Sequence, residues 1–307
     1  MDKNIRNFLR YLAQERHYSS NTIEAYANDL VQFESFLTNY FNIQTVFWQR
    51  VDKKIIRHFM ISLQENNISR RSVARKLAAI KSFFKFLNRE EIIDINPALS
   101  IKMPKFEKKL PEFISPEEIE NILKLPQVRT FEGLRDLAIL ELLYGTGMRL
   151  TELINIMDKD LLLAENLVRV HGKGNKDRVI PVGEAAKKVL LEYLEIRPQY
   201  AEKNVENIFV LKSGKKMYPI AVQRIIKKYL SGVTNIHKKS PHVLRHTYAT
   251  HLLNAGAGIR VVKDLLGHEN LSTTQVYTHL SIDHLKNIYN RAHPGASDKT
   301  INQRRRS

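Results

Sequence analysis

The chain contains no cysteine, which excludes disulfide scaffolds, thiol nucleophiles and thiolate metal sites together. It also lacks a long apolar run. The best stretch, Leu137 to Tyr144, is interrupted by Glu141 and falls far short of a membrane span. The opening Met1-Asp2-Lys3-Asn4 has no apolar signal core, so a cytoplasmic protein with no membrane partner is expected. No Gly-rich loop leads into Gly-Lys-Ser/Thr, so there is no P-loop, and no internal repeat is visible. His242 and His246 stand four apart, but no His-Glu-x-x-His accompanies them, and no metal site is expected. Acidic pairs are expected on solvent faces rather than at strand ends, which argues against a two-metal nuclease.

What the chain does have is positive charge. Its 307 residues carry 49 Lys and Arg against 32 Asp and Glu, a formal +17, while 43% hydrophobic residues provide for a sizeable core. Residues 1–110 hold 19 basic and 11 acidic side chains and the remainder 30 and 21, so both halves are basic. An excess spread over the whole chain favours a polyanionic partner gripped from two sides, against the blander reading of a solvated basic surface. The length suits two domains.

The first half reads as helices only. Ile5, Phe8, Leu9 and Leu12 share one helical face, and Ile23, Tyr26, Leu30, Phe33 and Leu37 another, with Ser20 or Asn21 as N-cap. A third helix is expected near Asp52–Gln64, with Ile55 or Ile56, Phe59 and Leu63 inward. A fourth, Ser69–Asn88, turns Val73, Leu77, Ile80, Phe84 and Leu87 inward and shows Arg71, Arg75, Lys85 and Arg89 on its other face. Four amphipathic helices make a small bundle.

Proline and charge from Asn96-Pro97 to Pro111 mark an exposed linker. Ser115-Pro116-Glu117-Glu118 then restarts structure as a capping box with proline in the first turn. Helices are expected at Leu134–Tyr144, Thr151–Met157 and Glu184–Glu195. Leu167–Val170 and Arg178–Val182 read as strands around a glycine-containing turn, Asn207–Val210 as a short strand, and Ile220–Tyr289 as almost wholly helical. The fold class is mainly α with a small β-sheet. The expected domains are 1–92, a linker 93–111, a second domain 112–292, and a basic tail 293–307 without fixed structure.

Isolated basic residues set in apolar helices or tight turns stand out. Arg149 follows Gly145-Thr146-Gly147-Met148 at the start of a helix, a region favourable to anions. His242 and Arg245 lie three apart on one helical face. Leu266-Gly267-His268 ends a helix, and Tyr277 follows nine residues later. Gly172-Lys173-Gly174-Asn175-Lys176 puts lysines on a turn. Taken singly each has a dull account: Arg149 pairing with Glu152 or Glu141, Lys173 a solvated turn lysine, Tyr277 a core residue. His246, His251, His279 and His293 are read as structural.

Taken together, in this order, Thr146–Leu153, Gly172–Lys176, Pro241–Thr247, Leu266–His268 and Tyr277 resemble the signature of the tyrosine recombinases, the phage integrase family, and nearly the whole chain is similar to its Xer branch. The resemblance implies a four-helix core-binding bundle joined to a catalytic domain. It implies Arg149, Lys173, His242, Arg245 and His268 as catalytic residues and Tyr277 as the nucleophile, with no cofactor. Duplex DNA would be clamped between the two domains, with Arg71, Arg75, Lys85 and Lys176 as DNA contacts and Arg75 nearest the groove. Family members assemble as tetramers, so a homo- or hetero-tetramer on paired sites is implied, Ser281–Arg291 passing to a neighbour. The Xer role further implies chromosome dimer resolution with a septal DNA translocase. Mobile-element integrases share every motif, a type IB topoisomerase shares the mechanism, and a catalytically silent DNA-binding accessory protein is the reading from a different class. His293-Pro294-Gly295-Ala296 departs from the Xer pattern in lacking a basic residue after the proline, as does the longer Arg304-Arg305-Arg306 tail.

Overall fold

The computed structural model describes residues 1–103, 112–172 and 177–267. Lys173, Lys176, His268, Tyr277, His279, Ser281–Arg291, His293 and the arginine-rich tail lie outside the described residues. The chain divides into two compact units, Met1–Lys109 and Leu110–Ser307.

The first unit holds α1 (Lys3–Gln14), α2 (Ser20–Phe41), α3 (Lys53–Glu65) and α4 (Arg70–Arg89). Each starts at a short polar side chain that accepts a backbone N–H of its first turn, from Asp2, Ser19, Asp52 and Ser69. The α2 cap is therefore Ser19, one residue before the expected pair, because Ser19 is the one that stays extended. Ile5, Phe8, Leu30, Phe33, Ile56, Leu77, Ile80, Phe83 and Phe84 are wholly buried between the helices. Each such side chain stabilises the fold by roughly 1.5–3 kcal/mol through transfer out of water. Trp48 closes this core from a short 3-10 turn, its indole N–H donating to Asp2 Oδ1 at 3.0 Å. The stretch expected to be exposed linker contributes Ile93, Ala98 and Ile101 to the same core. Proline and charge around these residues concealed their apolar side chains.

In the second unit, the Ser115 capping box opens α5 (Pro116–Lys124) as its sequence implies. The centre is α6 (Phe131–Thr146), whose residues are buried all round except Glu132. A helix with no solvent face needs neighbours on every side; α8 (Glu184–Ile196) and α10 (Pro241–Asn254) supply two of them. A three-stranded antiparallel sheet, β1 (Leu161–Leu162), β2 (Leu167–His171) and β3 (Asp177–Pro181), follows the short α7 (Leu150–Asn155). Its register pairs Val168 with Ile180 and His171 with Asp177. Asn207–Val210 is not a strand: it makes only isolated bridges, Met157 with Asn207 and Val210 with Lys216. Of the stretch read as almost wholly helical, residues 220–267 are described, and they hold α9 (Pro219–Ser231), α10 and α11 (Ile259–Leu266) separated by irregular stretches.

Acidic side chains are not confined to solvent faces. Asp29, Asp136, Glu141, Glu152 and Asp160 are buried. Arg75 and Lys76 both reach Asp29, and Arg135 lies 2.7 Å from Asp136. Burial of a carboxylate is tolerable with such partners. Among the described residues no helix is long and apolar enough to cross a membrane.

Candidate active site

Two helix junctions create the site. The first terminates α6 at Gly147, in the left-handed region at φ 62°, where glycine is strongly preferred. A Cβ there would lie 2.4 Å from the Tyr248 ring, so side chain and backbone both demand glycine. Thr146, wholly buried, donates to the Leu142 carbonyl at 2.5 Å and accepts the Met148 N–H at 3.3 Å, closing the turn. Arg149 then caps α7 with its backbone N–H on Glu152 Oε2 at 2.7 Å. The second junction is the end of α11, where Gly267 adopts φ 65°.

Three arginines from three elements converge between these junctions. Arg178, on β3, donates to both Glu152 oxygens at 2.8 and 2.9 Å and to the Leu265 carbonyl at 2.9 Å. Arg245, in α10, donates to the Gly147 carbonyl at 2.6 Å and the Leu266 carbonyl at 2.5 Å. Arg149 donates to Glu152 Oε1 at 2.9 Å and the Gly267 carbonyl at 2.7 Å. Three successive carbonyls at the end of α11, the negative end of its dipole, thus each accept from a different guanidinium. The backbone that these carbonyls fix leads directly into residue 268.

Glu152 is the common counterion, its side chain only 3% exposed. Burial alone would raise its pKa, but the hydrogen bonds and charge of Arg178, then Arg149, hold it down at about 2. Burial and the positive charge of Arg149, with Arg178 adding to them and Glu152 opposing, pull Arg245 down to about 10, so it stays charged at neutral pH. Three cations against one carboxylate leave the cluster positive. Arg149 keeps 37% of its side chain exposed and presents that excess to solvent. The arrangement is suited to an anion with several oxygens, since each fork still has N–H groups beyond those bonded here.

The structure brings together Arg149 and Arg245 among the expected site residues. His242 lies exposed on α10, in the turn before Arg245. The pairing of Arg149 with Glu152 offered as the dull account does form, yet as one edge of a larger cluster. His251 is buried with Nδ1 2.9 Å from the Tyr144 hydroxyl, as a structural histidine would be. Sequence reasoning missed Arg178 and Glu152 as site residues. The signals were a charged residue opening an otherwise apolar strand, and the Arg149–Glu152 spacing of a cap.

In the first unit Arg71, Arg75 and Lys85 are all exposed along one stripe of α4. Arg75 also reaches the Ala25 carbonyl at 3.3 Å, beside its ion pair with buried Asp29.

Residues 112–284 match the phage integrase family, and residues 5–91 match the phage integrase N-terminal SAM-like domain. The chain is 42% identical to a tyrosine recombinase XerC of Natranaerobius thermophilus, over 96% of this chain and 100% of that one. It is 40% identical to a XerC of Chlorobaculum parvum, over 94% of each chain, and 39% identical to a tyrosine recombinase XerD of Staphylococcus aureus, over 96% and 100%. In fold it is similar to XerH site-specific recombinase in a post-cleavage complex with palindromic difH substrate, at a TM-score of 0.69 and 20% identity over 92% of this chain and 83% of that one. These matches span both units, and the chain belongs to the phage integrase family of tyrosine recombinases.

Proposed function

We propose that this recombinase cuts and rejoins duplex DNA at a specific site through a covalent 3′-phosphotyrosyl link to Tyr277. The observation that carries the reading is the convergence of Arg149, Arg178 and Arg245 on the Leu265, Leu266 and Gly267 carbonyls, the last three before His268 in the chain, in a cluster with net positive charge. The phenol oxygen of Tyr277 attacks phosphorus and gives its proton to His242. The bond to the 5′ oxygen breaks, and Lys173 protonates that oxygen. Arg149 and Arg245 bind the non-bridging oxygens, where negative charge grows, with a further hydrogen bond from His268. The phosphotyrosyl ester conserves bond energy, so rejoining runs the same steps backward without a nucleotide cofactor.

The basic stripe Arg71, Arg75 and Lys85, with Lys176, serves as a DNA contact. Similarity to XerC and XerD across both units supports chromosome dimer resolution as the cellular role, by a tetramer on paired sites that exchanges Ser281–Arg291 between protomers and responds to a septal DNA translocase. A nicked suicide duplex carrying the site mapped by footprinting tests the chemistry. Incubation traps a covalent 3′ adduct that persists in EDTA and vanishes in Tyr277→Phe. Absence of any adduct would leave a DNA-binding accessory protein; relaxation without two-site strand exchange would leave a topoisomerase.

A further inference from the structure

The ladder of β2 and β3 ends in a group that the proposed chemistry does not use. The His171 imidazole lies between two carboxylates, Nδ1 at 2.8 Å from Asp177 Oδ1 and Nε2 at 3.0 Å from Asp160 Oδ1. An ionised carboxylate only accepts hydrogen bonds, so a carboxylate at each ring nitrogen favours the form of the ring that donates from both. Asp160 is 1% exposed, and its other oxygen accepts the Met157 N–H at 3.0 Å. The ring is therefore anchored to a fixed, buried point of the scaffold. Asp177 stands directly opposite His171 in the register and forms the last pair of the ladder. Lys173 follows His171 by two residues.

We propose that His171 is a positioning residue, clamped between Asp160 and Asp177 so that it fixes the neck from which the chain carries Lys173 to the departing 5′ oxygen. The inference rests on the assignment of Lys173 as proton donor. The hydrogen bonds and charge of Asp177, then Asp160, raise the pKa of His171 against the opposing effect of burial. The other charged groups on the elements around it are Arg169 on the same face of β2, exposed Asp158 and Lys159 on the turn before β1, and Lys173 and Lys176 in the chain beyond. Successive strand residues point to opposite faces, so Asp177 faces away from Arg178 and the clamp is separate from the arginine cluster. A single interstrand pair would close a hairpin. The second, buried carboxylate does more, because it ties the hairpin's neck to the turn that leads out of α7. Misplacing a reacting group by about 1 Å can cost a hundredfold in rate.

The test compares His171→Ala and Asp177→Asn, the second an exposed change that threatens no core. Single-turnover cleavage of the nicked duplex is measured with the natural 5′ oxygen and with sulfur at that bridging position. A thiolate leaves without a proton and so needs no acid. Both variants are expected to cleave the oxygen substrate about tenfold to a hundredfold more slowly and the sulfur substrate at the parental rate. Equal slowing on both substrates, or none on the oxygen substrate, would overturn the proposal. Lys173→Ala run alongside separates the two layers. If sulfur fails to rescue Lys173→Ala, the proton-donor assignment falls and takes this inference with it. If sulfur rescues Lys173→Ala but neither clamp variant, this inference alone falls.

Discussion

Replacing Glu152 with Gln keeps the shape at the centre of the arginine cluster and removes the only negative charge in it among the described residues. Folding lowers this carboxyl from 4.5 to about 2, and each unit of difference corresponds to about 1.4 kcal/mol, so the ionised form contributes about 3 kcal/mol to stability. Breaking a buried ion pair by removing one partner independently gives about 3–5 kcal/mol. Because the folded pKa is depressed, the contribution is present above about 4.5 and disappears as pH falls towards about 2. Glu152→Gln should therefore lose about 3 kcal/mol near neutral pH, with the gap to the parent closing across that acidic window. Urea unfolding of the full chain gives the assay. Trp48, the single tryptophan, lies in the first unit, so its fluorescence follows that unit while far-ultraviolet dichroism follows both. The substitution should shift the dichroism transition assigned to the second unit. A loss under about 1 kcal/mol, or a gap independent of pH, would refute the ion-pair account.

Two further substitutions probe the frame around the site and the second basic surface. Gly147→Ala places a methyl group 2.4 Å from the Tyr248 ring in a left-handed backbone position; a loss of about 1–3 kcal/mol in urea and a matching fall in adduct yield are expected, and an unchanged midpoint would contradict the packing described. Arg75→Ala should weaken DNA binding and reduce the slope of log affinity against log salt by about one, while also lowering first-unit stability because Asp29 keeps Lys76 alone. Unchanged affinity and slope would remove Arg75 from the interface.

Helical periodicity made the first unit legible, since its helices each bury one stripe against a common core. The cap of α2 was misplaced by one residue because Ser19, Ser20 and Asn21 are all competent caps, and backbone conformation alone decides between them. The start of α6 was harder to read for the opposite reason: a helix buried all round carries no polar face, so its first turn at Phe131 left no periodic mark. Asn207–Val210 has a strand's composition, but Ile208, Phe209 and Val210 are buried without partner strands. The site was legible where residue type was unusual for its setting, as at Arg149 and Arg245. Arg178 and Glu152 escaped because their importance is an encounter between β3 and α7, invisible to any local pattern.

The three carbonyls ending α11 carry a warning for mutagenesis at this centre. Arg149 moors the Gly267 carbonyl and Arg245 the Leu266 carbonyl, the last two before His268, so truncating either one removes a charge and unties a strand of chain at once. Rate losses from the two single variants will then overlap, and their double variant should fall short of the product of the separate defects. Only that shortfall, measured directly, separates the grip on a scissile phosphate from the rigging that holds its neighbours.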